Sequence, residues 1–247
     1  MRNRPVDRLH WTQVLVFTLA LALALTATRV RASDLSYTFV DFGALGVDSS
    51  LTGQQSPAPG QTVSVTTQKG DGLGVAGSLA LGKRFYLAGS YRSAVMDVNA
   101  VVTSRLATAA TSGNFDLLLT RFGFGYVQPI GQRLDFVVEL GRDKAEYDFG
   151  SFAGESFDVE DTALAAELGL RFHATKGLEL FVAARGSDVG QVDLTRRRFD
   201  SGTEVSAGLR FYFFEDLGLG VDYRSGDVNS LALSLRFGFG ELHVGGR

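Results

Sequence analysis

The chain has no cysteine, and its 247 residues include only 4 Pro, 3 His and 1 Trp. The lack of thiols removes any risk of wrong pairing in an oxidising compartment, and the scarcity of His with no Cys leaves no cluster of transition-metal ligands. Pro interrupts strand ladders and aromatic residues favour strands, so 4 Pro beside 30 Gly and 19 Phe is a composition suited to strands.

A basic excess is also missing. The formal net charge is −3, and the acidic excess grows when residues 1–32 are left out, because that segment carries five Arg and one Asp. Nucleic-acid recognition needs a basic surface, so we expect no nucleic-acid partner. After residue 32 the sequence contains no apolar run near the roughly 20 residues that a membrane-spanning helix needs.

The N-terminal segment has the features of a secretory signal peptide. Arg2, Arg4 and Arg8 precede an apolar stretch at 14–27, and small residues follow at 30–32. We therefore predict a signal peptide over 1–32, cleaved between Ala32 and Ser33, with Ala27 as an alternative cleavage site. A transmembrane anchor is the other interpretation, but the apolar stretch is short for that role.

From Ser33 onward apolar residues recur with the period of two that is typical of strands. Ten such segments lie within 33–240, which leaves a tail at 241–247. The first segment places Leu35, Tyr37, Phe39, Leu45 and Val47 on one apolar face. The sequence predicts an all-β fold of about ten strands, with eight or twelve as alternatives.

The links between these segments alternate in length. Four short links alternate with four longer ones, and we expect the longer ones to be loops at 48–72, 97–113, 148–160 and 187–202. A fifth link at the same end as these loops, near 225–229, is short. Short turns at one end and long loops at the other are typical of closed, up-and-down antiparallel transmembrane β-barrels of the outer membrane.

The second face of the strands carries charges of both signs among Gly, Ala and Ser. A soluble barrel buries its apolar face, whereas a membrane barrel turns it toward lipid and keeps polar groups inside. We therefore predict that the charged residues line the lumen. They are Arg92, Arg121, Asp135, Glu139, Glu167, Arg171, Glu179, Arg185, Glu204, Arg210, Asp222, Arg224 and Arg236.

Three segments carry a resemblance to a known family. These are 35–43 (LSYTFVDFG), 121–127 (RFGFGYV) and 231–239 (LALSLRFGF). They resemble the small Gram-negative outer-membrane β-barrel proteins, the group of the OmpA membrane domain, OmpX and OmpW, over essentially the whole chain after residue 32. The resemblance implies insertion in the outer membrane with the help of periplasmic chaperones and the barrel-assembly machinery, which recognises a C-terminal aromatic residue. Here Phe239 is followed by further residues.

Sequence motifs for catalysis or cofactors are weak. The glycines at 72, 74 and 77 match a dinucleotide-binding fingerprint by spacing, but the strand alternation continues through them instead of giving way to a helix. The His residues lie in the signal segment, at a turn and in the tail, away from the outer rim where a barrel enzyme would need a base. We expect no enzyme activity, no catalytic residues, no cofactor and no bound metal.

Two interpretations of the lumenal charges stay open. They can pair with one another and fill the lumen, and Arg171 with Glu179 and Arg210 with Asp222 lie roughly opposite across short turns. Alternatively they line a narrow aqueous pathway of a small porin or transport channel. We favour the filled lumen with a structural or interaction role in the envelope. The run at 196–198 (RRR) could in addition contact the phosphates of lipopolysaccharide.

Overall fold

The computed structural model describes residues 37–49, 51–56, 59–130, 132–152, 155–175, 177–196, 198–214 and 216–239. The predicted signal peptide over 1–32, its cleavage site between Ala32 and Ser33, and the tail at 241–247 lie outside the described residues, and they stay predictions. None of the described residues forms a helix able to span a bilayer.

Eleven antiparallel strands account for most of the described residues. They are β1 (Phe39–Asp48), β2 (Thr52–Gln55), β3 (Gln61–Leu81), β4 (Phe85–Ser104), β5 (Thr108–Pro129), β6 (Leu134–Phe152), β7 (Glu155–Thr175), β8 (Leu178–Asp193), β9 (Arg198–Phe214), β10 (Leu217–Ser225) and β11 (Asn229–Gly238).

The sheet closes into a barrel of ten strands. Each of β3 to β10 pairs with the next strand in sequence, and β1 pairs with both β11 and β3, which joins the two edges. The four-residue β2 pairs with β3 beyond the end of β1 and so prolongs the line of β1. The predicted fold, an all-β closed up-and-down antiparallel barrel of about ten strands, is confirmed.

The two ends of the barrel differ. At the short-turn end β3 meets β4, β5 meets β6, β7 meets β8 and β9 meets β10. At the far end β4 meets β5, β6 meets β7, β8 meets β9 and β10 meets β11. The prediction of long loops at the far end is wrong for most of their length. The β4–β5 ladder continues to the pair Thr103–Thr108, because Val and Thr residues at 98–103 sustain a strand as well as the apolar alternation does.

An apolar belt covers the outside of the barrel next to the short-turn end. Its exposed side chains include Leu73, Phe85, Phe122, Phe124, Leu140, Leu164, Leu168, Leu180, Val182, Leu209, Phe211, Phe213, Leu231 and Leu233. These residues belong to the apolar faces predicted from the sequence, and they leave the alternate positions to face the lumen.

The first predicted apolar face is assigned to the wrong side. Leu45 and Val47 are buried in the lumen, and Tyr37 and Phe39 line a lumenal cavity or contact its charged side chains. Leu35 lies outside the described residues. The outward face of β1 carries Val40, Phe42 and Ala44 instead. The assignment fails because the far half of the lumen is itself apolar, so an apolar face does not identify the outside there.

Close contact between β3 and β4 depends on Gly72. A Cβ atom on Gly72 would overlap the backbone carbonyl oxygen of Ser93 and press on Ala94, whereas one on Gly46 of β1 meets no atom within 4 Å. We expect Gly72→Ala to lower the free energy of unfolding by about 1 to 3 kcal/mol, because the strands must separate to admit the methyl group. Urea unfolding in detergent micelles measures it. The matched variant Gly46→Ala should cause no loss, and equal effects would contradict the contact.

Candidate functional site: the charged lumen

The structure places all thirteen sequence-predicted lumenal charges on the inward face of their strands. Asp135, Arg171 and Glu179 lie nearest the short-turn end, and Arg121, Glu204 and Arg224 lie farther along the barrel. Eleven of the thirteen form an ion pair with a described Arg, Asp or Glu, Asp135 lies against His173, and Arg92 has no ion pair with a described residue. Two further carboxylates that the sequence analysis missed, Asp41 and Asp143, belong to the same network.

A first group, the lower cluster, comprises Asp41, Arg171, Glu179, Arg210 and Arg236. Arg236 donates from Nε and Nη2 to the two carboxylate oxygens of Asp41 at 2.7 and 2.6 Å. Arg210 bridges Asp41 and Glu179 at 3.4 and 3.3 Å. Arg171 donates to Glu179 at 2.6 Å, and Glu179 is only 1% exposed. Each buried charge here has an opposite charge in contact, as burial requires.

A second group, the upper cluster, comprises Arg121, Glu139, Asp143, Arg185 and Glu204. Arg185 donates to Asp143 at 2.7 to 3.2 Å and to Glu139 at 3.0 Å. Arg121 forms a two-bond contact with Glu204 at 2.8 and 2.9 Å, which ties β5 to β9 across the lumen. Two-bond guanidinium–carboxylate contacts are among the stronger charged hydrogen bonds.

Three more charges contact these clusters, whereas Asp135 contacts two residues outside them. Glu167 contacts Arg185 at 3.4 Å, and Arg224 donates to Glu204 at 2.9 Å. Asp222 lies 3.7 Å from Arg210. Asp135 accepts a hydrogen bond from Tyr37 at 3.0 Å and lies 3.4 Å from His173. The pairs expected from the sequence, Arg171 with Glu179 and Arg210 with Asp222, are therefore both within ion-pair distance.

Aromatic rings complete the lower part of the lumen. Tyr37 stacks on Tyr86 with ring centroids 5.4 Å apart, and the guanidinium of Arg171 lies 4.6 Å from the Tyr37 ring. The guanidinium of Arg236 lies 3.3 Å from the Phe39 ring. These contacts explain why Tyr37 and Phe39 face inward: their rings cover guanidinium groups through cation–π contact.

The far half of the lumen is filled by an apolar cap. Its members are Leu45, Val47, Ala94, Met96, Val98, Phe115, Leu117, Ala145, Tyr147, Val159, Val189, Val192, Leu194 and Phe199. Met96 is fully buried, and the Tyr147 ring packs on Phe115 and Phe199 at 6.1 and 5.7 Å between centroids. Apolar side chains from several strands therefore pack against one another across this part of the lumen.

Polar contacts at the far end hold the strands over the cap. The backbone N–H of Gln54 donates to Thr195 Oγ1 at 3.1 Å, which joins β2 to the segment after β8. The Asp227 carboxylate accepts the N–H of Val192 at 2.6 Å. Burial raises the pKa of the Asp227 carboxyl, although the hydrogen bond from Val192 opposes this shift.

A cavity of about 250 Å³ remains between the cap and the short-turn end. Its wall carries charges of both signs together with small residues such as Gly74. The charged residues are Arg92, Arg171, Arg210, Arg224, Arg236, Asp41, Glu139, Glu167, Glu179 and Asp222. A smaller cavity of about 50 Å³ lies between the upper cluster and the cap. The described residues include no group of three or more His, Asp or Glu side chains arranged to hold a metal ion.

The two missed carboxylates differ in how they could have been found. Asp143 continues the inward series Asp135 and Glu139 at a spacing of four, so a predicted strand that runs past the apolar alternation at 134–140 would include it. Asp41 shares the face of Phe39 and Leu45, which the sequence analysis had turned outward. Its role becomes visible only once β1 is paired with β11 and Asp41 lies beside Arg236.

Glu179 provides a test of the lower cluster. Replacing Glu179 by Gln removes one charged partner from Arg171 and one from Arg210. Breaking a buried ion pair typically costs about 3 to 5 kcal/mol. We expect Glu179→Gln to lower the free energy of unfolding by an amount in that range, measured by urea unfolding in detergent micelles.

A surface ion pair is the matched control for this measurement. Lys144 lies 2.7 Å from Glu160 on the exposed outer face. We expect Glu160→Gln to change the free energy of unfolding by less than about 1 kcal/mol, because exposed pairs contribute little. Equal losses for Glu160→Gln and Glu179→Gln would show that burial does not govern the energetics of the lumenal cluster.

Comparisons with known proteins return architecture only. No protein-family model and no curated protein matches the chain. Among solved structures, the translocator domain of the autotransporter NalP from Neisseria meningitidis aligns over 94% of this chain and 98% of its own, with 15% identity and a TM-score of 0.46. The outer membrane protein OprG from Pseudomonas aeruginosa aligns over 82% and 97%, with 13% identity and a TM-score of 0.41. The COG4313 outer membrane channel from Pseudomonas putida F1 aligns over 85% and 99%, with 16% identity and a TM-score of 0.41. The assignment of a ten-stranded closed barrel rests on the chain's own strand pairing.

Proposed function

We propose that the protein is an integral outer-membrane β-barrel with a structural or interaction role in the envelope and a lumen that does not conduct. The observation that carries this proposal is the inverted arrangement near the short-turn end, where apolar side chains cover the outside and ion pairs fill the inside. In water this arrangement would expose a large apolar surface and bury charges without need.

The length of strand that the apolar belt covers supports a location in a bilayer. The outward apolar residues extend over 85–95 on β4, 164–172 on β7 and 205–213 on β9. These lengths agree with the roughly 9 to 11 residues with which a tilted strand crosses the hydrocarbon core. Beyond the belt the outward positions become charged, as with Asp97 on β4 and Glu160 on β7, which suits an aqueous surface.

Aromatic residues mark the edge of the belt at the short-turn end. The ring of Phe85 lies 5.5 Å from Phe124 and 5.3 Å from Tyr126, and Phe211 contacts Phe213 at 5.0 Å. Rings of aromatic residues at the level of the lipid headgroups are typical of outer-membrane barrels. The strands are also long, at 16 to 22 residues for β3 to β9, so the far half extends well beyond a bilayer.

The partners that we propose follow from this location. Outer-membrane lipid covers the belt, and periplasmic chaperones and the barrel-assembly machinery act during insertion, as in the OmpA, OmpX and OmpW group that the sequence resembles. Arg196 and Arg198 are exposed at the far end and pair with Asp193 and Asp200, which leaves their outer edges open to phosphates of lipopolysaccharide. We propose no enzymatic activity and no cofactor.

A charge placed on the belt tests the membrane location. Leu168 is 55% exposed at the middle of the belt on β7. We expect Leu168→Arg to lower the free energy of unfolding in lipid vesicles by about 2 to 4 kcal/mol, because the guanidinium would face hydrocarbon. Reversible urea unfolding in vesicles measures this cost.

A leucine in the turn between β4 and β5 is the matched control. Leu106 is 99% exposed at the far end, beyond the belt. We expect Leu106→Arg to change the free energy by no more than about 0.5 kcal/mol, because that position faces water. A neutral Leu168→Arg variant would contradict the membrane location.

Recordings in planar bilayers test the closed lumen. We expect the wild-type chain to insert without steady conductance, because the apolar cap fills the far half of the lumen. Removing rings from the cap in Phe115→Ala with Tyr147→Ala should open a conducting path. The control is Phe124→Ala, which changes an outward aromatic residue on the same strand as Phe115. We expect this variant to show no steady conductance. Steady wild-type conductance would contradict the proposal.

A small porin or transport channel is the second candidate. The cavity of about 250 Å³ beneath the cap favours it, because a channel needs space for a solute on its path. The same recordings separate the two candidates, since a channel conducts without any change to the cap.

A further inference from the structure

Arg92 differs from every other arginine of the lumen. Arg121, Arg171, Arg185, Arg210, Arg224 and Arg236 each lie within 3.4 Å of at least one carboxylate oxygen. Among the residues that the structure describes, Arg92 has no hydrogen bond and no ion pair. Its guanidinium carries five N–H donors, is half-buried in the lumen and has no fully buried unpaired nitrogen, so its free donors face accessible space.

The two carboxylates whose charges act on Arg92 each lie against another arginine. The charges that act on Arg92 come from Arg224 and Arg121, and then from Glu204 and Asp222. Glu204 accepts hydrogen bonds from both Arg121 and Arg224. Asp222 lies 3.7 Å from Arg210 and accepts a hydrogen bond from Ser234 on Oδ2 at 3.4 Å, whereas its Oδ1 accepts no hydrogen bond. Arg92 therefore has no carboxylate of its own among the described residues.

The structure also provides space at Arg92. Arg92 forms part of the wall of the 250 Å³ cavity, and its partner across the β3–β4 ladder is Gly74, which has no side chain to occupy that space. A Cβ on Gly74 would lie 3.5 Å from Cγ of Arg92 and 3.2 Å from Leu45. A water molecule takes about 30 Å³ of liquid volume, so the cavity can hold a small solute as well as water.

We propose that the lumenal cavity binds the oxyanion group of a small solute, a carboxylate or a phosphate, on the guanidinium of Arg92. The planar fork of a guanidinium matches both groups with two parallel hydrogen bonds. Arg224, whose Nη1 alone contacts Glu204 in the described network, adds a second positive charge on the same cavity wall. This binding site goes beyond the proposed structural role, because a closed barrel can bind a solute without conducting it.

The test uses the full chain in detergent micelles and two probes, sodium acetate and inorganic phosphate, titrated separately by calorimetry. We expect saturable binding of at least one probe to the wild-type chain. Arg92→Gln should weaken that binding about tenfold or more, because the charged two-bond contact is lost. The matched control Arg84→Gln alters an exposed arginine near the short-turn end, which contacts Tyr126 and Gln128, and should bind as the wild type does.

A second measurement does not depend on calorimetry. Urea unfolding should show that the bound probe stabilises the wild-type chain, because a ligand of the folded state adds to its stability, and that it does not stabilise Arg92→Gln. Without the probe, Arg92→Gln should be at least as stable as the wild type, since no ion pair is broken. Absence of saturable binding to the wild type, or equal affinity in Arg92→Gln, would overturn the proposal. Both results are independent of conductance, which tests the closed lumen.

Discussion

The pairing of charges inside the barrel is the interaction on which the rest of this structure depends. A charge in the lumen is out of bulk water, so it must be met by an opposite charge or by hydrogen bonds. These contacts also connect strands that are not neighbours in the sheet. Arg121 on β5 holds Glu204 on β9, and Arg185 on β8 holds Asp143 on β6, so side-chain bonds cross between strands that the backbone ladder does not join. The cross-section of the barrel is therefore fixed by its interior as well as by its closed ladder.

The barrel reverses its polarity along its height. On β4 the outward series ends at Val95 and is followed by Asp97, while the inward series passes from Arg92 to Met96 and Val98. Near the short-turn end the apolar side is outside, as the proposed membrane location requires, and toward the far end it is inside, as in a soluble barrel. The strands thus change their apolar side along their length. The proposed change of solvent outside the wall accounts for both the apolar cap and the charged clusters.

This reversal marks the limit of what the sequence could predict. The period of two could be predicted because it persists along each strand, whichever side is apolar. The count of ten strands follows from that period. The outward face of β1 could not be predicted, because Leu45 and Val47 belong to the cap and share a face with Asp41. The sequence predicts loops at the far ends of the strands because apolar alternation fades there, although backbone pairing continues. The lack of a partner for Arg92 could not be predicted, because it depends on how Glu204 is shared between Arg121 and Arg224.

The charged interior also specifies the register of the strands, which stability alone does not explain. Buried ion pairs often contribute little more to stability than apolar residues of the same size would. A shift of one residue, however, exchanges the two faces of a strand. On β9 such a shift would turn Glu204 and Arg210 toward lipid and Leu209 toward the lumen. An arginine at the middle of a bilayer costs about 2 to 4 kcal/mol, and its former partner inside would be left unpaired. An apolar lumen would make both registers nearly equal, so the network selects one of them.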